Sequence, residues 1–568
     1  MDHDGSKTVM RMRYACLGML LLAASAFLSV SALTAPQIDV SLGFSGYFVP
    51  ERMAPLRVEL SGVEPAFAGS LRIVEQVGNA WRGQARSSIC LPINGASLIY
   101  EYAIPVYDFS QPLLVSLFDE QGHVIAQREV ALRDKWREEP FIVSVGAFPA
   151  SVAPDAVQMN ETELPTNWLS YEGVSELWIG RTMSGLAVGQ EEAIYRWTSA
   201  GGTTAIFTGS DYFRVDSPLV RDMIPLANPR IESGELLVGD LRVGSEVLLR
   251  SSTGEPLLVS RGLGAGVVLL VAVDAFSLTE AQYAELRDLA PSATRVDLSD
   301  VTSSMLQQMP VTRPGYPTAI AIVAVLLTAL IVIVSRVRGG SARVVYLLLV
   351  ALACSLWSGL YANRTKQTCN VYAVNTEVAV QMRLGYTIAC HGLASLVGRM
   401  DSASPKVRVR DSVIQTLPRD LNEDSFDIDL LCDHDAVVTL SAGETRILRG
   451  GSDDTALISM SFSGDEGVVI DNGLGIVLPY AAVVRDATSF PLGPVLTGIR
   501  TYSLPPEAQR FALGSRELSS LYAAVNKDYN LSTGTWFVAG TIIDSTVESG
   551  DYREKVRHVK LVLVEAER

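Results

Sequence analysis

Two uncharged apolar runs restrict this 568-residue chain more than any other feature: YPTAIAIVAVLLTALIVIVS over residues 316–335 and VVYLLLVALACSLWSGLY over 344–361. A helix rises ~1.5 Å per residue and needs about 20 apolar residues to cross a bilayer, so each run is long enough to span one. Between them, RVRGGSAR (336–343) carries Arg336, Arg338 and Arg343 and no acid. Because basic loops stay on the cytoplasmic side, the expectation is a transmembrane helical hairpin with a cytoplasmic turn. Neither span holds a charge, so the hairpin is expected to anchor the chain and not to conduct.

The N-terminus carries a matching signal. Lys7, Arg11 and Arg13 precede ACLGMLLLAASAFLSVSA, which ends in small residues, a secretory signal pattern over residues 1–32. Together the two features predict a membrane protein with both large regions outside the cytoplasm. The net charge of −16 is spread without a basic stripe, which excludes a nucleic-acid footprint. Cys16 and Cys354 lie inside apolar runs, which leaves Cys90, Cys369, Cys390 and Cys432 in a disulfide-permissive space.

The rest reads as a multidomain chain, α/β plus β. Residues 37–135 contain short alternating runs, among them IDVSLGF, PLRVELSG and PLLVSLFDE, broken by Gly, Pro and Asn, and predict a β-sandwich. Residues 138–300 alternate strands with helices and predict an α/β domain with a parallel sheet. In it, QEEAIYRWTSAGG is a helix stopped at Gly201 and Gly202, EVLLRSSTGEPLLVSRG a hairpin turning at Gly254, and GVVLLVAVD a buried strand. Ser277 and Glu280 have the spacing of a capping box for LTEAQYAELRDL. Residues 301–315 read as a linker, and 365–568 as a second β-sandwich-like region with one helix, SRELSSLYAAVNKDY, capped by Ser515. If both large regions lie on one side of the hairpin, the last one is expected to contact the α/β domain or its linker.

LPTNWLSYEGVSELWIG, the segment from Gln190 to Trp197 with Gly201 and Gly202, and EPLLVSRGLGAGVVLLVAVD together resemble the class I glutamine amidotransferase-like domain of uncharacterised bacterial membrane proteins. In that group the domain sits behind a β-sandwich beginning much as IDVSLGFSGYFVPERMAPLRVEL does, and GVVIDNGLGIVLPYAAVVRDATSFPLGPVLTG resembles its last region. The resemblance implies the fold, a place in a bacterial cytoplasmic membrane with both large regions periplasmic, and an envelope protein as partner, and it raises the question of activity. That chemistry needs a thiolate and a base to generate it. No cysteine lies between Cys90 and Cys354, and the five histidines (His3, His123, His391, His434 and His558) all fall outside 138–300. The domain therefore reads as a pseudoenzyme, with no catalytic residue and no cofactor assigned.

Other chemistry is sparse. Ligands of open α/β sheets bind at the carboxyl ends of strands, which makes Ser210, Asp211 and Asp274 a candidate pocket, although polar residues there also serve as turn formers. The glycines of RGLGAGVV lead into a strand instead of a helix, so they fit a hairpin better than a phosphate loop. Cys390, His391, Cys432 and His434 are the only local set that could ligate a metal, without a C-x-x-C spacing. Two functions stay open: a membrane-anchored binding scaffold without catalysis, or an extracytoplasmic hydrolase or amidase using carboxylates or a metal. A scaffold predicts an apolar or flat exposed patch and no convergent ionisable pocket, and a hydrolase predicts carboxylates with a perturbed environment in a cleft.

Overall fold

The computed structural model describes residues 36–309 and 369–566 with breaks, of which 77–84, 210–216, 396–405 and 417–427 are the longest, and a few helical positions between 325 and 345. The first part holds β1 (Gln37–Leu42), β2 (Met53–Ser61), β3 (Ala68–Gln76), β4 (Ala85–Asn94), β5 (Ile99–Pro105), β6 (Leu113–Asp119) and β7 (Val124–Val130). The second holds β8 (Phe141–Val145), β9 (Val157–Met159), β10 (Val174–Ile179), α1 (Val188–Ser199), β11 (Thr203–Phe207) and α2 (Pro218–Met223). It continues with β12 (Leu226–Glu232), β13 (Leu236–Leu241), β14 (Ser245–Arg250), β15 (Pro256–Leu263), β16 (Gly266–Val271), α3 (Glu280–Leu289) and α4 (Ser299–Gln308). The third begins with β17 (Cys369–Gln381), β18 (Tyr386–Ser395), β19 (Lys406–Val409), β20 (Val413–Thr416), β21 (Ile428–Leu430), β22 (Ala436–Thr439) and β23 (Thr445–Ser452). It ends with β24 (Ile458–Phe462), β25 (Gly467–Asn472), β26 (Tyr480–Arg485), β27 (Thr488–Pro491), β28 (Gly498–Ser503), α5 (Arg516–Tyr529), β29 (Thr535–Ser549) and β30 (Tyr552–Glu565).

The expected membrane hairpin is corrected here. An apolar run crosses a bilayer only as one unbroken helix, and no helix among the described residues is long and apolar enough to do so. Runs 316–335 and 344–361 lie almost wholly outside the described residues, as does the signal segment 1–32. The fold class is mostly β, built from several sheets, with no membrane-spanning helix among the described residues. The membrane as partner, the two spans and the periplasmic placement lose their structural basis with it.

Two sheets enclose the N-terminal core. The sheet β1-β2-β5 presents Leu42, Leu56, Val58, Leu60 and Ile104, which meet Leu71, Ile73, Val115 and Leu117 from β3 and β6. The second sheet does not end with β7. Its order is β19-β22-β21-β4-β3-β6-β7, and β21 pairs in parallel with β4, Ile428 opposite Ser87. Chain from beyond residue 400 thus completes a sheet begun before residue 80.

The middle sheet runs β14-β15-β16-β11-β10-β8-β9, with β9, β8, β10, β11 and β16 mutually parallel and β15 and β14 added antiparallel. Side chains alternate across it. Leu177, Ile179, Ile206, Val268 and Leu270 face α1 in the main core, while Trp178, Ala205, Phe207, Leu269 and Val271 face α3. The β15–β16 turn is tight, Leu263 opposite Gly266, and it presses on the end of α1: the Ala265 N–H donates to the Ser199 carbonyl and the Val267 N–H to the Gly202 carbonyl. A Cβ on Gly266 would lie 1.8 Å from the Thr198 carbonyl oxygen, which explains the glycine-rich run without a phosphate.

The eight-stranded sheet β20-β23-β18-β17-β30-β29-β26-β27 carries the third part. One of its faces belongs to the same core as the middle sheet. Tyr372, Val374, Val378, Val380, Tyr386 and Cys390 pack with Met305 and Leu306 of α4 and with Leu518, Leu521, Val525 and Tyr529 of α5. Each such fully buried aliphatic side chain stabilises by roughly 1.5–3 kcal/mol relative to exposure. The stretch read as a linker is therefore in part a docked helix: Thr302 hydrogen-bonds Thr376, and Gly392 leaves the space that Thr302 and Leu306 fill. Arg449 pairs with Asp297 and Arg383 with Asp222 around the rim. The contact expected between the last region and the α/β part is present. The sheet's other face holds Val371, Ala373, Leu393 and Leu448 against Val407 and Val438 at one end, and packs on β24-β25-β28 through Ala379, Val562 and Phe537 at the other.

Candidate functional site

Of the predicted pocket at the strand ends of the middle sheet, only Asp274 lies among the described residues. Ser210 and Asp211 lie outside the described residues. Asp274 follows β16, but its carboxylate accepts the Phe276 N–H at 2.8 Å and caps a 3-10 turn, Ala275–Ser277. Ser277 therefore belongs to that turn and not to a capping box. The box for α3 lies two residues on, where Gln282 Oε1 accepts from the Thr279 N–H at 2.9 Å and Thr279 Oγ1 from the Gln282 N–H at 3.3 Å. Beneath α3, Trp178, Phe207 and Tyr283 enclose a cavity of only about 20 Å³, room for roughly one water. Of its two charged lining residues, Glu176 and Arg287, the first already accepts from Trp178 Nε1 at 2.8 Å.

Of the metal set, Cys390 and His391 alone are described. Cys432 and His434 lie outside the described residues. Cys390 and His391 are consecutive in β18, so their side chains point to opposite faces and cannot grip one ion. Burial pushes the Cys390 thiol up to about 12, far from the thiolate a metal needs. Among the described residues no group of three or more His, Cys, Asp or Glu could hold a metal.

Two features that the sequence reading passed over take their place. The first is a row of polar side chains across three strands. Asn375 of β17 stands opposite His391 of β18 and His558 of β30. His391 Nδ1 lies 2.9 Å from Asn375 Oδ1, and Asn375 Nδ2 lies 3.3 Å from His558 Nδ1. Burial lowers the His391 imidazole to about 4, and burial also lowers His558 against the pull of Glu377. Only the strand register brings these residues together, and no local sequence signal encodes it.

The second is an exposed apolar tip beside β25 and β28. Asn472, fully buried, donates from Nδ2 to the carbonyls of Ile476 (2.9 Å) and Leu496 (3.3 Å) and accepts the Leu474 N–H at 3.2 Å. It ties together two loops already bridged at Leu478 and Val495. Those two residues point inward and are fully buried, so by alternation their neighbours point out. Val477 and Leu496 are each 47% exposed, and Ile499 at the start of β28 is 70% exposed. Asn472 is the asparagine of the IDNGLG segment, so that motif has a structural purpose: its amide aims the tip.

Comparison with known proteins adds little chemistry. Residues 35–133 match the family model of a domain of unknown function, DUF8726, which takes in β1 to β7. No curated protein matches the chain. Among solved structures, the exo-β-1,4-mannosidase Op5Man5 from Opitutaceae bacterium strain TAV5 is similar at 12% identity with a TM-score of 0.20. That match covers 28% of this chain and 34% of the mannosidase, so the chain spans about a third of its length. Neither comparison supports a glutamine amidotransferase.

Proposed function

We propose that this chain is a binding scaffold that performs no catalysis and holds a protein partner. The observation that supports it most is the outward apolar tip of Val477, Leu496 and Ile499, held in place by a buried asparagine. Three large apolar side chains exposed beside one braced pair of loops contribute nothing to the core, and exposed apolar patches mark interaction sites. β28 also ends its sheet among the described residues, so its outer backbone groups can pair with an extended segment of the partner. The complementary surface is a protein strand with an apolar side chain to meet Ile499. The use of Asp274 as a cap weighs against a carboxylate hydrolase in the middle sheet.

The test compares wild type with Ile499→Glu as baits in extracts of the source organism, with melting curves of both. Support is a protein held by wild type and lost from the variant at unchanged melting temperature. Equal recovery by both baits contradicts the reading.

A further inference from the structure

The row His391, Asn375 and His558 fixes its own proton positions. An amide oxygen only accepts, so His391 carries its proton on Nδ1, towards Asn375 Oδ1. An amide nitrogen only donates, so His558 presents a bare Nδ1 to Asn375 Nδ2 and keeps its proton on Nε2. Both rings are then neutral, and His391 Nε2 is a buried lone pair with no hydrogen-bond partner among the described residues.

We propose that this row is a proton-driven relay in which uptake of one proton by His558 turns the Asn375 amide over and moves the His391 proton from Nδ1 to Nε2. A proton added to His558 Nδ1 places two donors face to face. Rotation of the Asn375 side-chain amide by a half-turn removes the conflict, because Oδ1 then accepts from His558 and Nδ2 points at His391. His391 Nδ1 must now accept. Its proton leaves to solvent during a local opening and another arrives at Nε2, so the net change is the single proton on His558.

The entry point is set by burial. His391 is nearly inaccessible, whereas His558 is only about half-buried, and Glu377 is the carboxylate that favours charge on it. Among the described residues, the other charged groups near the row on this sheet face are Lys560, which pairs with Glu377 at 3.3 Å, Glu554 two rows away along β30, and Arg446 on β23 in the row next to His391, while Arg485 of β26 lies at the far end of the face over the Phe462 ring. From β29 the facing residues are Thr541, Ile543 and Ser545, none charged. The described side chains of the opposing strands, Val407 and Val438, are apolar. The relay thus carries a titration at the open part of the face to a nitrogen buried under the N-terminal sandwich sheet, where the new Nε2–H has no acceptor among the described residues. Acid would loosen the contact between these two sheets without charging the buried ring.

The experiment is nitrogen NMR of the full-length chain labelled with ¹⁵N in the histidine rings, followed from pH 8 downward, with His558→Gln and Asn375→Leu as the assigning variants. The expected result is that the protonated-type signal of His391 moves from Nδ1 to Nε2 with the same midpoint as His558. In His558→Gln, which does not titrate, His391 keeps its Nδ1 proton throughout. In Asn375→Leu, His558 titrates and the His391 tautomer no longer follows it. A wild-type His391 whose tautomer is constant while His558 titrates overturns the proposal, and so does a switch that persists in His558→Gln.

Discussion

The hydroxyls of Tyr386 and Tyr529 are hydrogen-bonded to each other in the core, and Tyr386 also donates to the Ser199 carbonyl at 3.1 Å. Since the single Tyr386 proton goes to that carbonyl, Tyr529 is the donor to Tyr386. Three parts of the chain meet at this point: the end of α1, the start of β18 and the end of α5. Tyr386→Phe leaves the Tyr529 hydroxyl without its acceptor and the Ser199 carbonyl with the Ala265 N–H alone, and should cost about 1–3 kcal/mol in a urea melt. Tyr529→Phe removes only a donor and should cost less.

The same pair predicts alkaline sensitivity. Burial raises both phenols well above 10 in the folded chain. A folded pKa above the unfolded value gives stability that is complete below about pH 10 and is lost as pH rises beyond it, because only the unfolded phenols ionise there. Melts between pH 9 and 11 should fall steeply for wild type and less steeply for the double Phe variant.

On the acid side two groups pull in opposite directions. His391, lowered from 6.5 to about 4, contributes stability that is full above pH 6.5 and is lost as pH falls towards 4, roughly 3 kcal/mol in all. Glu554, raised by burial from 4.5 to about 7, contributes stability that is full below pH 4.5 and is lost as pH rises through 7. At pH 8, therefore, Glu554→Gln should stabilise the chain by about 1–3 kcal/mol, and His391→Gln should flatten the slope between pH 6.5 and 4. A wild-type slope unchanged by either substitution would refute these assignments.

The glycine run gives a sharper contrast. A Cβ at Gly266 collides with the Thr198 and Gly202 carbonyls, whereas one at Gly262 meets nothing within 4 Å. Gly266→Ala should destabilise by about 2 kcal/mol or more, and Gly262→Ala should be tolerated within about 0.5 kcal/mol on thermal melting. Equal effects at both positions would contradict a hairpin seated on α1.

What the sequence made legible was local. The strand in GVVLLVAVD, the turn at Gly254 and the helix behind Ser515, whose Oγ accepts the Leu518 N–H at 3.0 Å, all follow from short-range pattern. The capping box of α3 was misplaced because S-x-x-E and T-x-x-Q overlap two residues apart, and Asp274 drew Ser277 into its own turn. VTSSMLQQ read as a linker because its apolar face is thin, and only β17 and β18 make it a docked helix. Pairings such as β21 with β4 join residues more than 300 positions apart, and the alternation within a strand says nothing about its partner. The apolar runs 316–335 and 344–361 carried the membrane reading on composition alone, and no helix among the described residues supports it. As for the site, the Asn472 segment was visible as a motif, but its role appeared only once its amide was seen to hold both loops.

The most direct test of the scaffold reading is photo-crosslinking in living cells with a photoreactive residue placed at Leu496 of the full-length chain, and at Val188, 72% exposed and away from the tip, as control. The reading predicts one discrete heavier adduct from position 496, absent from position 188 and lost when Ile499→Glu is added. No adduct at 496, or the same adducts from both positions, would contradict it.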